Sequence, residues 1–199
     1  MSLYDLINDK LANTPNMRDL RANLLKDARG RTLEVGFGTG LNAPFYPEQV
    51  EQVIAVEPSR GAEKRARIRM ARAKVPIEWT PGSGEKLMFP DASFDTVITT
   101  LVLCTKHGDV RTILSEIKRV LKPGGRYLFL EHGRSMTKKG QKLQQRLNGL
   151  NKLIIGCRLD TPIRTLLEQA AFRFERLEDF TSKGDPPFIQ MYQGIGTRD

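Results

Sequence analysis

The sequence predicts an α/β fold built around a doubly wound, mostly parallel sheet, and three observations carry that expectation. Residues 31 to 40 read Arg-Thr-Leu-Glu-Val-Gly-Phe-Gly-Thr-Gly, a short apolar strand running straight into a glycine-rich turn. Short β-prone runs then alternate with amphipathic helical patterns, as parallel crossovers require. With 39% hydrophobic and 28% charged residues, the 199-residue chain is expected to form one domain, residues 1–199, with a full core and no need of disulfides or metal.

Residues 3 to 27 predict one or two helices separated by Pro15. Leu3, Leu6 and Ile7 share one face, and Met17, Leu20 and Leu24 another. Residues 1–28 would form a helical lid, in which Tyr4 is either a ligand contact or a packing tyrosine. Arg31 to Val35 is the first strand. Gly36, Gly38 and Gly40 then allow positive φ and close approach of backbone to a ligand, and Leu41, Asn42 and Ala43 read as the start of a helix. Gln52 to Val56 is the second strand, ending at Glu57. A basic helix from about Gly61 to Lys74 leads to a short strand over Val75 to Thr80 and the turn Pro81-Gly82-Ser83-Gly84-Glu85.

Thr96 to Cys104 is the most β-prone run and predicts the central fourth strand. Asp109 to Leu121 is amphipathic, with Val110, Ile113, Leu114, Ile117, Val120 and Leu121 on one face, and Lys122-Pro123-Gly124-Gly125 supplies stop signals. Tyr127 to Glu131 is the fifth strand, with His132-Gly133 at its tip. Residues 137 to 155 predict a basic helix striped by Leu143, Leu147, Leu150 and Ile154, within a substrate-side segment 133–160. Asp160 or Thr161 would cap the next helix, with Pro162 in its first turn. Phe172 to Phe180 and Phe188 to Ile195 close the sheet as a hairpin.

The glycine loop is not the dinucleotide G-x-G-x-x-G. It is Glu34-x-Gly36-x-Gly38-x-Gly40, and an acid at the strand end would repel a pyrophosphate but suits a cationic amino-acid group. Glu57 stands 23 residues beyond Glu34, where an acid can accept both hydroxyls of a ribose; the plainer alternative is a surface acid before Pro58. Ser83 and the backbone of Gly84 and Glu85 are placed to meet a base edge. His132 at the tip of the fifth strand is of a residue type suited to general-base work, against an equal case for a histidine that orients a loop. Glu131 is a second acid at that edge, with Arg134 as its expected partner. Cys104 reads as a small buried hydrophobe rather than a nucleophile.

The net charge of +9 is concentrated in two stretches. Arg60 to Lys74 holds seven basic residues against one acid, and His132 to Leu159 holds seven and no acid. Charge runs usually solvate a helix face, and the sharper alternative is a surface for anionic lipid or nucleic acid. The two basic helices would fall on opposite faces of a doubly wound sheet. Cys104 and Cys157 form neither a zinc pattern nor a disulfide framework, so no metal is expected and the thiols are read as free in a reducing cytoplasm. No apolar run approaches membrane-spanning length, and the acidic, polar first ten residues are unlike a signal peptide.

Taken in order, Glu34-x-Gly36-x-Gly38-x-Gly40, Glu57, Gly82-Ser83-Gly84-Glu85, Phe94-Asp95-Thr96-Val97 and Leu121-Lys122-Pro123-Gly124-Gly125 resemble the class I S-adenosylmethionine-dependent methyltransferases, tightly over residues 31 to 132. The resemblance implies a Rossmann-like, seven-stranded sheet with an antiparallel terminal hairpin, and S-adenosylmethionine as cofactor with S-adenosylhomocysteine as product. It implies that Glu34 and the Gly36 to Gly40 loop hold the methionine moiety, Glu57 the ribose, and Ser83, Gly84 and Glu85 the adenine. Tyr4, Phe37, Asn42, Pro58, Ser59, Thr100 and Leu101 complete the candidate cofactor contacts. Many members carry aspartate where Ser83 stands, so the contact here is neutral.

A narrower likeness rests on Thr100-Leu101-Val102-Leu103-Cys104, Leu128-Phe129-Leu130-Glu131-His132 and Gly156-Cys157-Arg158-Leu159-Asp160. These look like a small-molecule subgroup that includes the alkyl-thiol methyltransferases of animals and borders the quinone-ring and phospholipid enzymes. The implied reaction is in-line methyl transfer to a small, partly apolar acceptor: a thiol, a quinone or a lipid head group. His132 is the catalytic candidate, and a base is optional when the nucleophile is already a thiolate.

Two alternatives stand beside this. One is an RNA methyltransferase using the basic helices, disfavoured by a single Trp, four Tyr and no added RNA-binding module. The other is a non-catalytic cofactor-binding protein with a protein partner. Nucleic acid is therefore not the expected partner, while peripheral contact with an anionic membrane is allowed. The expected location is the cytoplasm, because the apolar N-terminal anchor of animal members is not seen in this sequence. Asp185-Pro186-Pro187-Phe188 matches a nucleobase-amine motif, but that motif belongs after the fourth strand, so it reads here as a stiffened turn.

Overall fold

Hydrogen-bonding order places the glycine loop at the centre of a seven-stranded sheet. The structure, a computed structural model, describes residues 9–104, 108–181, 186 and 188–199. Its elements are α1 (Pro15–Leu25), β1 (Gly30–Val35), a 3-10 turn (Ala43–Phe45), β2 (Val50–Glu57), α2 (Arg60–Met70), β3 (Ile77–Pro81) and β4 (Phe94–Thr100). Then come α3 (Val110–Val120), β5 (Leu121–Gly133), α4 (Lys138–Ile154), α5 (Ile163–Gln169), β6 (Arg173–Phe180) and β7 (Gln190–Thr197). The sheet order is β3-β2-β1-β4-β5-β7-β6. β1 pairs in parallel with β2 and β4, β4 with β5, and only β7 runs antiparallel, to both β5 and β6. The chain direction therefore reverses beside β1, and ligands of such sheets gather at that switch point.

Strand alternation divides the core. Leu33, Val35, Val97, Tyr127 and Phe129 face α3 and α5 through Ile113, Leu114, Ile117, Ile163 and Leu167. Ile98, Leu128 and Leu130 face the other way, onto Met17, Leu24 and Leu25 of α1. Each such fully buried aliphatic side chain contributes about 1.5–3 kcal/mol, so the two faces rather than the polar loops hold the sheet together. Helix ends follow the sequence. Pro15 opens α1 at its first turn instead of merely separating two helices, and Thr14 accepts from the Met17 amide. Asp109 caps α3 by accepting from Thr112, an interaction worth about 1 kcal/mol.

Several expectations are corrected. Leu41 to Ala43 begin no α-helix: a single 3-10 turn forms over Ala43–Phe45, and Pro47 prevents its extension because it has no N–H. The fourth strand ends at Thr100, not Cys104. Leu101 turns off the ladder with φ 59°, and the Glu131 carboxylate accepts from the amides of Val102 (3.1 Å) and Leu103 (3.0 Å). A β-prone run is thus overridden by a buried acid that offers its backbone a different partner. Glu131 consequently does not pair with Arg134, whose Nε donates to the Asp160 carbonyl.

Lys122-Pro123-Gly124-Gly125 follows the helix as expected but lies within β5, where pairing slips from Phe94–Leu121 to Thr96–Arg126. Pro162 caps α5 from just outside it, with no side-chain bond from Asp160 or Thr161. The basic helix α4 does not lie on a sheet face opposite α2. Gln144 ties it to the carboxyl tips of the strands, donating to the carbonyls of Gly133 (2.9 Å) and Phe188 (2.8 Å). Among the described residues, no helix is long and apolar enough to cross a membrane.

Candidate functional site

The carboxyl ends of β1, β2, β4 and β5 open into a cavity of about 1210 Å³. Glu34, Gly36, Phe37, Gly38, Glu57, Pro58, Ser59, Ser83, Gly84, Glu85, Thr100, Leu101 and His132 all line it. The sequence-based candidates thus converge on one space although they come from five separate stretches. Gly40 and Asn42 are buried behind that wall. Tyr4 lies outside the described residues, as do Asp185 and Pro187; Pro186 and Phe188 line the cavity.

The loop after β1 explains its own glycines. Gly36 has φ 73°, and a Cβ there would stand 2.4 Å from Val102 Cγ2, so neither its backbone nor its surroundings admit a side chain. Gly38 turns its amide onto Glu57 Oε2 at 2.8 Å, while the Ser59 amide donates to Glu57 Oε1, also at 2.8 Å. Glu57 is thereby fixed at the tip of β2, on the wall of the cavity. Phe37 turns its ring into the protein, edge-on to Trp79 at 6.2 Å. On the far side, Ser83 Oγ accepts from the Glu85 amide (3.3 Å), and Glu85 Oε1 accepts from the Asp109 amide (2.7 Å).

Behind the loop sits a buried network that sequence reasoning found only in part. The Glu34 carboxylate accepts from Asn42 Nδ2 (3.0 Å) and from the Tyr46 hydroxyl. Asn42 Nδ2 also donates to Thr100 Oγ1 at 3.0 Å, and Arg21 Nη1 donates to Asn42 Oδ1 at 2.7 Å. Burial pushes Glu34 up to about 8, opposed first by the nearby Arg21 charge. Burial pulls Arg21 down to about 10, opposed by Glu34. Arg21 is 5% exposed and lines the cavity, and its Nε has no hydrogen-bond partner among the described residues. Its signal in the sequence was a cation at an inward position, four residues after Met17 on the apolar stripe of α1.

A second unanticipated group anchors residues before α1. Asp9 accepts from Thr39 Oγ1, Arg65 Nη1 (2.7 Å) and Arg69 Nη1 (2.7 Å), while Arg67 pairs with Glu63. Three cations of the α2 run are therefore held in ion pairs, two of them clamping Asp9 to the glycine loop. Burial is the largest single effect on the Asp9 carboxyl and raises it, but the Arg69 and Thr39 hydrogen bonds and the Arg69 and Arg65 charges together outweigh it and hold the carboxyl below the usual range.

The opposite end of the cavity has different chemistry. His132 near the end of β5 and Cys157 after α4 both line it, with Leu147, Leu150, Ile154 and Leu159 around them. Cys104 is buried behind them, and its thiol donates toward Cys157 Sγ at 3.8 Å. That contact, and then the His132 ring, hold the Cys157 thiol below its ordinary pKa against burial, while Cys104 is pushed up. His132 Nδ1 is buried without a hydrogen-bond partner. Fifty-three residues separate the cysteines, so their meeting could not be read from spacing. Burial also raises Glu131 to about 7, opposed by the two amides it holds.

Comparison with known proteins agrees with this geometry. A methyltransferase-domain family matches residues 33–129. The chain is 32% identical over 182 residues to a thiol S-methyltransferase of Homo sapiens, covering 87% of this chain and 73% of that one. It is also 32% identical over 133 residues to a phosphatidylethanolamine N-methyltransferase of Cereibacter sphaeroides, covering 66% and 64%. Across the similar thiol S-methyltransferases, the match spans between 41% and 73% of their length. The fold is that of the YcgJ protein of Bacillus subtilis, with a TM-score of 0.70 at 19% identity over 91% of this chain and 97% of that one. A reversal point at β1, a glycine loop and an acid-tipped second strand are how such a sheet holds a nucleoside bearing an amino acid, and the chain belongs to the class I S-adenosylmethionine-dependent methyltransferases.

Proposed function

We propose that this enzyme methylates the sulfur of a small, partly apolar thiol. The observation that carries the reading is the composition of the cavity beyond the cofactor end. There Leu147, Leu150 and Ile154 of α4 line the same cavity as His132 and Cys157. Leu150 stays 59% exposed, so this stripe is left open for an apolar ligand instead of being used up in the core. The identity to a thiol S-methyltransferase over 87% of the chain supports the same acceptor. An ethanolamine head group fits less well. Its ammonium would call for a carboxylate, and Glu131, the acid on that edge, is turned inward onto two backbone amides.

The cofactor fits the residues present. Its amino acid is a zwitterion, and the wall at that end holds a buried carboxyl, Glu34, and a buried guanidinium with an unpartnered nitrogen, Arg21. In this reading Glu34 receives the ammonium and Arg21 the carboxylate. Glu57, already oriented by two amides, accepts the ribose hydroxyls, and the Ser83 to Glu85 turn borders the adenine. S-adenosylmethionine supplies an electrophilic methyl group on a sulfonium. The chain's own contribution is alignment of nucleophile, methyl carbon and leaving sulfur, with water kept out by α4. A cysteine-type thiol ionises near pH 8.5 and a simple alkanethiol higher, so the acceptor gains from a base, a task His132 can perform from the end of β5.

The test is an assay of the purified enzyme with S-adenosylmethionine and three acceptors: an alkanethiol, a hydroquinone and phosphatidylethanolamine. The expected product is the alkyl methyl sulfide. Methylation of the hydroquinone or the amine, with none of the thiol, would overturn the reading.

A further inference from the structure

Two cysteines and a histidine from distant parts of the chain converge where the acceptor would sit. One ligand atom each from Cys104, His132 and Cys157 can be chosen so that all three lie within 4.8 Å of one another. The two sulfurs are 3.8 Å apart. Two thiolates at about 2.3 Å from a tetrahedral zinc ion stand about 3.8 Å from each other. The pair is thus already spaced as an edge of a zinc tetrahedron, and seating the ion asks the imidazole to approach by about 1 Å.

The surroundings hold this arrangement. The Arg158 amide donates to the Cys104 carbonyl at 2.7 Å, joining the two cysteine-bearing segments directly. Asn151 Nδ2 donates to the Cys157 carbonyl at 2.9 Å. Glu131 fixes the amides of Val102 and Leu103 just before Cys104. Among the described residues His132 Nδ1 is buried without a hydrogen-bond partner, an arrangement that ordinarily costs stability and that ligation through this nitrogen would relieve. His132 and Cys157 face the cavity while Cys104 closes it from behind, so three ligands come from the wall and the fourth direction is open.

We propose that Cys104, His132 and Cys157 form a zinc site whose open fourth position takes the sulfur of the acceptor. Two thiolates and an imidazole are a donor set that suits zinc, and a protein-supplied trio with one free position is the pattern of catalytic rather than structural zinc. The proposal builds on the thiol reading above and puts the metal in place of the His132 base as the means of activation, with His132 serving as a ligand. The acceptor thiol replaces zinc-bound water and releases its proton to solvent. Its sulfur then forms the new bond to the methyl carbon as the sulfonium carbon–sulfur bond breaks, with that electron pair staying on the departing thioether. The neutral methyl sulfide leaves, and water returns to the metal.

The experiment is metal titration of the reduced full-length chain after chelation, with zinc and with cobalt, alongside Cys104→Ser and Cys157→Ser. Calorimetric binding of S-adenosylhomocysteine serves as the check of folding. One zinc per chain is expected. Cobalt should give the visible bands of a tetrahedral ion with a thiolate charge-transfer band, and these bands should shift on addition of an alkanethiol. Each serine variant should weaken zinc binding by more than the roughly 100-fold that loss of an outer-shell partner can cause. Should Cys104→Ser fail to fold, Cys157→Ser and the cobalt spectrum decide. Cofactor binding without stoichiometric zinc would overturn the site and leave the methyltransferase reading intact. So would an octahedral cobalt spectrum, or a Cys104–Cys157 disulfide that binds no zinc once reduced. Zinc bound at the trio with no methylation of any thiol would support the site and overturn the acceptor reading.

Discussion

The two ends of the cavity solve opposite problems. At the cofactor end, fixed polar partners meet at short range: Glu57 with the amides of Gly38 and Ser59, Glu34 with Asn42 and Tyr46, and Asn42 with Arg21 and Thr100. At the acceptor end the wall is leucine, isoleucine, the Cys157 thiol with Cys104 behind it, and an imidazole whose Nδ1 has no hydrogen-bond partner among the described residues. A ligand that never changes can be met by a network assembled in advance, so that no reorganisation is needed on binding. An acceptor recognised mainly by apolar contact needs area and shape instead, and α4 provides them from outside the sheet. Substitutions at the first end should therefore act on cofactor affinity and on stability. Those on the apolar stripe of the second should act on acceptor KM.

The largest expected effect is at Gly36. A Cβ at φ 73° and 2.4 Å from Val102 Cγ2 combines backbone strain with a clash, so Gly36→Ala should lower stability by about 3 kcal/mol in urea unfolding. Cofactor binding should fail with it.

Next comes the pH response of the cofactor end. Glu34, held at about 8, is mostly protonated at neutral pH and must ionise to meet an ammonium. Binding then releases a proton, and affinity rises by up to about tenfold per pH unit toward pH 8. Above that it falls again as the ligand's own α-ammonium, of pKa about 8, deprotonates. Calorimetry in two buffers of different ionisation enthalpy measures the proton, and Glu34→Gln should abolish the acid limb.

Smaller still, Leu150→Ser should raise KM for an alkanethiol by about tenfold, the loss of roughly half a leucine's burial, with cofactor affinity unchanged. Leu153, 79% exposed on the same helix, is the control. Leu153→Ser should leave both constants alone and shift stability by no more than about 0.5 kcal/mol.

The contrast between the ends also explains what could be read from sequence. The glycine loop, Glu57 and the Ser83 turn follow directly from strands, and local spacing fixes their chemistry; all of them reach the cavity. Arg21 was less visible because its meaning depends on which way α1 faces. Asp9 was hidden because its partners lie 30 to 60 residues away. The end of β4 was misplaced because β propensity in Leu101-Val102-Leu103 yields to a carboxylate on the next strand. The Cys104–His132–Cys157 group was missed for a related reason. Three single residues on three elements carry no motif, and only the fold brings them together. In the α2 basic run, Arg65 and Arg69 pair with Asp9, 56 and 60 residues away, while Arg67 pairs with Glu63 on the exposed face of the helix.

Calorimetric titration of the wild-type chain and Glu57→Ala with S-adenosylhomocysteine tests the preformed cofactor end most directly. One-to-one binding at about micromolar affinity is expected for the wild type, and a loss of about 100-fold in the variant, the consequence of removing two or more hydrogen bonds to a charged group. A folded wild-type chain that binds no nucleoside, or a Glu57→Ala variant that binds as tightly as wild type, would contradict it.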